Sequence, residues 1–293
     1  MQILRSWLFV PGNQLKLINK ASTLDADVLI YDLEDSVPSS EKERGRLLIA
    51  KALQMPKGRS LRYVRMQATA PSALEDLYTV ACSGLNGLVM PKVEMPDDIQ
   101  WLDAALSSVE SDLGIKSGSI GLLATIESAR GLLAAPAIAA ACQRVMGLFF
   151  GAEDYSLDLG IFRLDDDSLD DMLYARSAVA VAAASYGLVA VDRVVPEFSS
   201  LDRLDTDARQ AYRLGYSGKA VIHPQQINRV HKIFSPTDKD VEKALKVINS
   251  FEQAHKQGVG SIQVDGRMVD LPIIEKARHI VKLAKALKSP KSD

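Results

Sequence analysis

Eight short apolar runs, each followed by a more polar stretch, restrict the fold of this chain more than any other feature. The runs are rich in β-branched and aromatic residues and are short enough to be strands. They cover residues 7–10, 28–31, 62–66, 87–90, 120–126, 145–150, 188–195 and 219–222. Between them, apolar residues recur at helical spacing, as in 42–53, 96–109, 132–142, 169–186 and 205–214.

This alternation of strands and helices predicts parallel strands joined by right-handed helical crossovers. Eight such units close most economically into a (β/α)8 TIM barrel, which has no edge strand. An open, doubly wound sheet is the alternative.

The pattern changes after His223-Pro224, and we predict a barrel domain over residues 1–230 with an extension over 231–293. The extension has helical spacing at 240–256 and 272–287, and Asp265-Gly266 between apolar residues indicates a β-hairpin. It is too small to be an independent domain, so we expect it to pack on its own barrel or on a neighbouring one.

Composition excludes several classes of protein. The hydrophobic fraction is 47% and the net charge is −2, which gives no support for a nucleic-acid partner. No apolar run reaches the roughly 20 residues that a membrane-spanning helix needs. Cys82 and Cys142 belong to no CxxC motif and are predicted to be reduced. We therefore expect a soluble, cytoplasmic protein.

In a barrel of this kind the active site forms at the carboxyl ends of the strands. Glu127 and Asp154 follow the fifth and sixth predicted strands, which are neighbours. Two carboxylates with no His or Cys partner suit Mg²⁺, with water and substrate completing the octahedron. Two structural alternatives stay open: Glu127 as a charge in the first turn of a helix, and Asp154 as an N-cap. Asp192 also follows a strand and is expected at the same end.

Arg65, at the end of the third strand, suits bidentate binding of a substrate carboxylate, although it could equally be a buried partner of Asp32 or Glu34. Alternation along the second strand predicts Asp32 and Glu34 on one face and Asp35 on the other. Glu34 is interpreted as orienting Arg65 or a water molecule bound to the metal.

Three further residues have more open interpretations. Lys16 and Lys20 lie four residues apart and so share one face of a helix, where they could meet phosphates or simply be solvated. His223 could donate to a substrate or hold the last loop. The sequence has no GxGxxG, Walker, GxSxG or zinc-ligand spacing, so dehydrogenases, kinases and serine hydrolases lack support from motifs.

Taken together, these segments resemble the citrate lyase beta subunit-like proteins, a group that includes malyl-, citramalyl- and citryl-CoA lyases. The resemblance covers nearly the whole chain. It is carried by RSWLFVPGN, ADVLIYDLEDSV, YVRM, GLVMPKVE, ATIESARGLL, FFGAEDYSLDLG, LYAR, AVDRVV, GYSGKAVIHPQQI and VDGRMVDLP.

The resemblance implies Mg²⁺ held by Glu127 and Asp154, and a substrate carboxylate bound by Arg65, with Glu34 and Asp35 in supporting positions. It also implies a trimer or hexamer in which each subunit supplies a catalytic acid/base aspartate to an adjacent subunit. The matching residue here is Asp270. By spacing alone, Asp270 would be interpreted as an ordinary N-cap. The residues implied in acyl-CoA contact are Phe9, Lys16, Lys20, Glu127, Ile222 and His223. Phe9 replaces a tyrosine of some relatives, and VRMQ replaces the commoner VR-hydrophobe-Asn.

The implied activity is retro-Claisen cleavage of a 3-hydroxyacyl-CoA. Citramalyl-CoA, which gives acetyl-CoA and pyruvate, is preferred over malyl-CoA. A stand-alone lyase is preferred over a citrate lyase beta subunit acting on a carrier-protein thioester, because IHP rather than LINP follows the last strand. An aldolase for free hydroxyacids and a non-catalytic barrel that binds CoA or an oxoacid are the remaining alternatives.

Overall fold

The computed structural model describes residues 3–56, 58–161, 172–197, 201–256 and 260–288. The chain divides into two compact units, one spanning Leu4–Val230 and the other containing the residues from His231 onward. Among the described residues, no helix is both long enough and apolar enough to cross a bilayer.

The first unit is a closed barrel of eight parallel strands, which confirms the predicted (β/α)8 fold. Its strands are β1 (Ser6–Pro11), β2 (Val28–Asp32), β3 (Leu61–Arg65), β4 (Gly87–Met90), β5 (Gly121–Ile126), β6 (Val145–Phe150), β7 (Val189–Asp192) and β8 (Gly218–Val221). Pairing of β1 with β8, with Trp7 opposite Ala220, closes the barrel. This pairing excludes the open-sheet alternative, because an open sheet would leave both of those strands at an edge.

Helices follow the strands in regular order. They are α1 (Leu15–Ala21), α2 (Lys42–Gln54), α3 (Ala70–Val80), α4 (Pro96–Asp112), α5 (Ala129–Ala139), α6 (Ala152–Asp158), α7 (Leu173–Ser185), α8 (Leu201–Leu214) and α9 (Pro224–Ile233). Helix α5 begins three residues before its predicted start because the Ser128 hydroxyl accepts a hydrogen bond from the amide of Gly131 and caps it. The start of the helix predicted over 169–186 lies outside the described residues.

The barrel interior is filled by side chains rather than open. Inward-facing residues from every strand pack into one apolar core, in which the rings of Trp7 and Tyr63 meet edge to face with centroids 5.2 Å apart. Alternate residues of each strand face the surrounding helices. Because the interior is packed, a substrate can be bound only where the strands end.

A buried network of charges joins the last two strands to the helices outside them. The guanidinium of Arg176 on α7 donates to both carboxylate oxygens of Asp192, at 3.0 and 2.9 Å. The ammonium of Lys219 lies between Asp192 and Asp207 of α8, and all four side chains are fully buried. Asp192 therefore belongs to this network and not to the barrel mouth where its position at a strand end predicted it.

The second unit contains α10 (Asp238–His255), a hairpin of β9 (Ile262–Val264) and β10 (Arg267–Val269), and α11 (Leu271–Lys288). The hairpin is present as predicted: Asp265 and Gly266 both have positive φ, at 49° and 77°, as a tight two-residue turn requires. A small apolar cluster that includes Phe251 and Ile274 packs this unit.

Candidate active site

A cavity of about 450 Å³ opens at the carboxyl ends of the barrel strands. Aromatic, acidic and basic side chains converge on it from β1, β2, β3 and β6, from the residues that follow β2 and β5, and from the first residues of α6. Its lining residues include Phe9, Pro11, Asp32, Asp35, Arg65, Glu127, Phe149, Phe150, Gly151, Glu153, Asp154 and Ile222. One cavity thus collects most of the residues expected at the strand ends.

Glu127 follows the last residue of β5 and precedes the N-cap of α5, so it is not a charge in the first turn of that helix. The carboxylate is buried, and its Oε1 accepts a 2.6 Å hydrogen bond from the backbone amide of Lys92. Burial, reinforced by the nearby charge of Asp154, raises the pKa of Glu127 to about 7, against the opposing effects of the Lys92 amide and of the nearby cations.

Gly151 provides the space that Glu127 occupies. A Cβ placed on Gly151 would overlap Oε2 of Glu127 and lie 2.7 Å from its Cβ. Each oxygen of this carboxylate therefore has its own contact, Oε1 a hydrogen bond and Oε2 close packing against a glycine. Any larger residue at position 151 would displace the carboxylate.

Asp154 is the third residue of α6, whose N-cap is Gly151, so the N-cap alternative does not apply. Its side chain is 37% exposed and lines the cavity. The ammonium of Lys92 lies 3.9 Å from Asp154 Oδ1 and 3.7 Å from Glu34 Oε1. Burial alone would lower the pKa of Lys92, but the surrounding carboxylates, Glu34 first among them, raise it.

Arg65 is paired with Asp32 within the site. The alternative interpretation of Arg65, as a buried partner of Asp32 or Glu34, therefore describes the structure. Its Nε and Nη2 donate to the two oxygens of Asp32 at 2.7 and 2.8 Å, a bidentate arrangement. Its Nη1 is 3.0 Å from Glu34 Oε2 and 3.4 Å from Asp35 Oδ2. The guanidinium also lies 5.0 Å from the centre of the Phe9 ring. Burial would raise the pKa of Asp32, but the Arg65 pair lowers it.

Glu34 contacts Arg65 and Lys92, and its carboxyl group has a raised pKa. Burial raises its pKa to about 8 in spite of the nearby charge of Arg65, and its Oε1 is buried without a hydrogen-bond partner among the described residues. The prediction that Asp35 points to the opposite face is wrong, since both Asp35 and Asp32 line the cavity. The reason is that β2 ends at Asp32, so strand alternation does not extend further.

The donor atoms at this end of the barrel are suited to a hard divalent cation. In the part of the chain that the structure describes, no three His, Cys, Asp or Glu side chains form a ready-made metal cluster. Mg²⁺ needs only one or two protein carboxylates because it keeps several water ligands. Two carboxylates, Glu127 and Asp154, line the cavity, and the nearby Glu34 Oε1 accepts no hydrogen bond from the described residues. The residues present therefore fit Mg²⁺.

The structure separates the other predicted contacts into two groups. Phe9 and Ile222 line the cavity, and the Phe9 ring also packs against Phe149 with centroids 5.9 Å apart. Lys16 and Lys20 are exposed on α1 and are not among the described residues that line the cavity. His223 accepts a hydrogen bond from the amide of Gln225 through Nδ1, which holds the loop after β8.

Asp270 directly precedes α11 in the C-terminal unit. Its carbonyl accepts hydrogen bonds from the amides of Ile273 and Ile274, both at 3.1 Å, as expected of a residue that begins a helix. Its carboxylate Oδ1 is buried and has no hydrogen-bond partner among the described residues. An N-cap interpretation thus accounts for its backbone but not for its side chain.

Sequence reasoning missed the roles of two contributors to this site. Gly151 makes room for Glu127, and Lys92 holds Glu127 through its backbone amide. The Pro91-Lys92 pair did stand at a strand end in the sequence, so its position was a usable signal. The role of Gly151 depends on a contact with a distant residue, which spacing does not reveal.

Comparison with known proteins places the chain in a family. Residues 5–224 match the model of the HpcH/HpaI aldolase/citrate lyase family. Citrate lyase subunit beta of Haemophilus influenzae is 35% identical over 98% of both chains. Human mitochondrial citramalyl-CoA lyase is 33% identical over 97% of this chain and 86% of its own. The crystal structure of CitE from Mycobacterium tuberculosis in complex with magnesium, acetoacetate and coenzyme A superimposes with a TM-score of 0.78 and 28% identity, covering 96% of this chain and 98% of that one.

The chain therefore belongs to the HpcH/HpaI aldolase/citrate lyase family. It is an enzyme of the carbon–carbon lyase class, built on a (β/α)8 barrel with a cavity at the carboxyl ends of the strands.

Proposed function

We propose that this protein is a Mg²⁺-dependent lyase that cleaves a 3-hydroxyacyl-CoA, with citramalyl-CoA as the preferred substrate and acetyl-CoA and pyruvate as products. The observation that carries the proposal is the convergence of Glu127 and Asp154 on one cavity beside the Arg65 guanidinium. Relatives that are named citrate lyase subunit beta and citramalyl-CoA lyase, and a related structure that holds magnesium and coenzyme A, support it.

Glu127 and Asp154 would hold the Mg²⁺ ion in this cavity. When bound, the ion lowers the pKa of the substrate's 3-hydroxyl group and stabilises negative charge on oxygen. The buried position of Glu127 keeps this region at low effective dielectric, where each charge interaction is stronger than in water. The aromatic rings of Phe9 and Phe149 line the cavity and would limit access of water to the reacting atoms.

Arg65 contributes positive charge toward the carboxylate of the substrate. Two of its nitrogens are committed to Asp32, which fixes the orientation of the guanidinium, while Nη1 points toward Glu34 and Asp35. Arg65 would therefore attract the substrate carboxylate mainly through its positive charge and not through two parallel hydrogen bonds. Glu34 and Asp35 limit its movement.

Asp270 is proposed as the acid/base group. The 3-hydroxyl group would lose its proton to water, and breaking of the C2–C3 bond would convert the hydroxyl carbon into the oxo group of pyruvate and leave a thioester enolate. Asp270 would then donate a proton to the carbon of that enolate, giving acetyl-CoA. Its buried, unpartnered carboxylate oxygen is consistent with a group held for such a transfer.

The coenzyme A portion is assigned to the rim of the barrel. Phe9 and Ile222 line the cavity and offer apolar contact to the thioester arm. Lys16 and Lys20, exposed on one face of α1, would meet phosphate groups outside the cavity, and His223 would lie beside the arm after β8. Cys82 and Cys142 are both free thiols, in keeping with the reducing cytoplasm that we propose as its location.

A homo-oligomer, trimeric or hexameric, in which Asp270 serves a neighbouring site completes the proposal. Large apolar side chains that remain exposed on helices of the barrel support it. Leu133 of α5 is 80% exposed, and on α7 Tyr174 is 72% and Val181 is 68% exposed. Helices α5 and α7 pack side by side. Exposed apolar groups of this size favour burial against another protein surface.

The proposal also specifies which thioester is cleaved. The loop after β8 reads IHP, which resembles stand-alone lyases, and this favours a CoA ester over a carrier-protein ester. A citrate lyase beta subunit that acts on citryl carried by a protein is the second candidate, supported by the 35% identity to that subunit. Malyl-CoA lyase is the third.

The test is an assay of the purified chain with Mg²⁺ and citramalyl-, malyl- or citryl-CoA in parallel, with the released oxoacid measured. We expect pyruvate from citramalyl-CoA, loss of turnover with a chelator, and a fall in kcat of at least about a hundredfold in Glu127→Gln. Turnover of carrier-bound citryl but of no CoA ester would establish the second candidate instead. Normal turnover by Glu127→Gln would overturn the proposed mechanism.

A further inference from the structure

Lys92 has a backbone conformation that a lysine adopts only at a cost. It lies in the loop after β4 with φ at 53°, and Asp265 in the hairpin turn is the one other non-glycine residue with positive φ among the described residues. A left-handed backbone conformation is unfavourable for residues with a Cβ. Residues held in it cluster at functional sites.

The surrounding loop enforces this conformation. The amide of Val93 donates to the carbonyl of Thr125 on β5 at 3.3 Å, and the Val93 side chain is fully buried. Gly131 of α5 packs so closely that a Cβ on it would lie 2.5 Å from the carbonyl oxygen of Val93. Lys92 is thus held in place by its neighbour in the chain, with its amide directed at Glu127.

The consequence of this conformation is the position of one carboxylate. The Lys92 amide donates to Glu127 Oε1 at 2.6 Å, while Oε2 fills the space beside Gly151. A hydrogen bond to an ionised acceptor is among the stronger ones in proteins. The Lys92 ammonium, by contrast, is half exposed and 3.7 Å or more from its nearest carboxylates.

We propose that Lys92 is a positioning residue for Glu127, and that it acts through its left-handed backbone amide and not through its charge. The inference rests on the proposed metal site, which it deepens. The amide occupies Oε1 and so leaves Oε2 as the oxygen that is presented to a divalent cation. Gly151 and Lys92 together fix the position of this carboxylate, Gly151 by close packing and Lys92 by its amide hydrogen bond.

Substitutions that all remove the ammonium separate the two properties of Lys92. Glycine adopts positive φ without strain, alanine does so at a cost and valine resists it most strongly. Mn²⁺ binding to the full chain without substrate, followed by electron paramagnetic resonance of the free ion, gives a readout that is independent of turnover. We expect Lys92→Gly to bind Mn²⁺ at least as well as the unchanged protein, because a like charge has been removed.

Lys92→Val is expected to bind Mn²⁺ at least about tenfold more weakly than Lys92→Gly, with Lys92→Ala in between. Thermal unfolding shows which variants are folded; should Lys92→Val fail to fold, the comparison of Gly with Ala decides. Asp265→Gly and Asp265→Val form the matched control, since they impose the same backbone change in the hairpin and are expected to bind Mn²⁺ equally well.

Two outcomes would overturn the inference: equal Mn²⁺ affinity of the Gly, Ala and Val variants, or a loss in Lys92→Gly as large as that in Glu127→Gln. Failure of the proposed metal site has a different signature. In that case Glu127→Gln itself would bind Mn²⁺ as well as the unchanged protein.

Discussion

Single residues in the cavity owe their properties to burial and to one or two close neighbours. Glu127 and Glu34 keep protons to about pH 7 and pH 8 because burial disfavours their charged forms, whereas Asp32 is held ionised by its pair with Arg65. Neighbouring carboxyl groups around Arg65 and Lys92 therefore have pKa values shifted in opposite directions. A divalent cation would compensate those that are hardest to ionise.

Gly151→Ala is expected to abolish Mg²⁺ binding and lower kcat by at least about a hundredfold, because the added methyl group displaces the Glu127 carboxylate. Isothermal titration with Mg²⁺ and a turnover assay test this. Gly121→Ala on β5 is the matched control, since its nearest contact, with Met146, would be an ordinary 3.5 Å. Unchanged Mg²⁺ affinity in Gly151→Ala would show that Glu127 is not held as described.

Mg²⁺ affinity is expected to rise with pH, because the ion binds the carboxylate form of Glu127, whose pKa is about 7. A single group of this pKa makes binding about tenfold weaker at pH 6 than at pH 8. The stability of the metal-free protein should change in the opposite direction. Its folded form retains protons that the unfolded chain releases near pH 4.5, so stability falls as pH rises from about 5 to 8.

Calorimetry in two buffers of different ionisation enthalpy measures the protons released on Mg²⁺ binding. Glu34→Gln isolates the contribution of Glu127, since the second group with a raised pKa is then gone. Affinity that does not change between pH 6 and pH 8 would contradict the assigned ligand.

At the scale of elements, the barrel is held by two different kinds of contact. The inner core is apolar and comes from alternate residues of all eight strands. On the outside, β7 and β8 are fastened to α7 and α8 by the buried network of Arg176, Asp192, Asp207 and Lys219. Burial would raise the pKa of Asp207, but Lys219 and Arg176 lower it well below its usual range.

Asp207→Ala is expected to lower the free energy of unfolding by about 3–5 kcal/mol, because it leaves Lys219 and Arg176 buried with too little negative charge. Urea denaturation measures the change. Arg44→Ala, which removes only an exposed pair with Glu41, is the control and should cost less than about 1 kcal/mol. An equal, small effect of both substitutions would mean that the buried network adds little.

At the scale of the whole molecule, the proposal places the metal ligands and the acid/base group in different subunits. Glu127 belongs to the barrel unit and Asp270 to the C-terminal unit that begins at His231. If the site is shared between subunits, two inactive variants can restore activity in a mixed oligomer, which a site within one chain does not allow.

Glu127→Gln and Asp270→Asn are each expected to be inactive alone and to regain activity when unfolded and refolded together. In random hetero-oligomers, about a quarter of the sites would combine an intact barrel with an intact neighbouring Asp270. Turnover near that fraction of the unchanged protein, measured after co-refolding, supports sharing. Refolding each variant separately before mixing is the control, and no recovery on co-refolding would place Asp270 in the site of its own chain.

The sequence by itself determined the barrel, since eight apolar runs in alternation with helical spacing have few other ways to bury their surfaces. It also determined which carboxylates stand at strand ends, because strand ends follow directly from those runs. Only the tertiary structure decided that Asp192 is paired outside the barrel, that Asp32 occupies Arg65, and that Lys92 and Gly151 enclose Glu127. These contacts join residues 16 to 35 positions apart and depend on backbone geometry and close packing, which local periodicity does not encode.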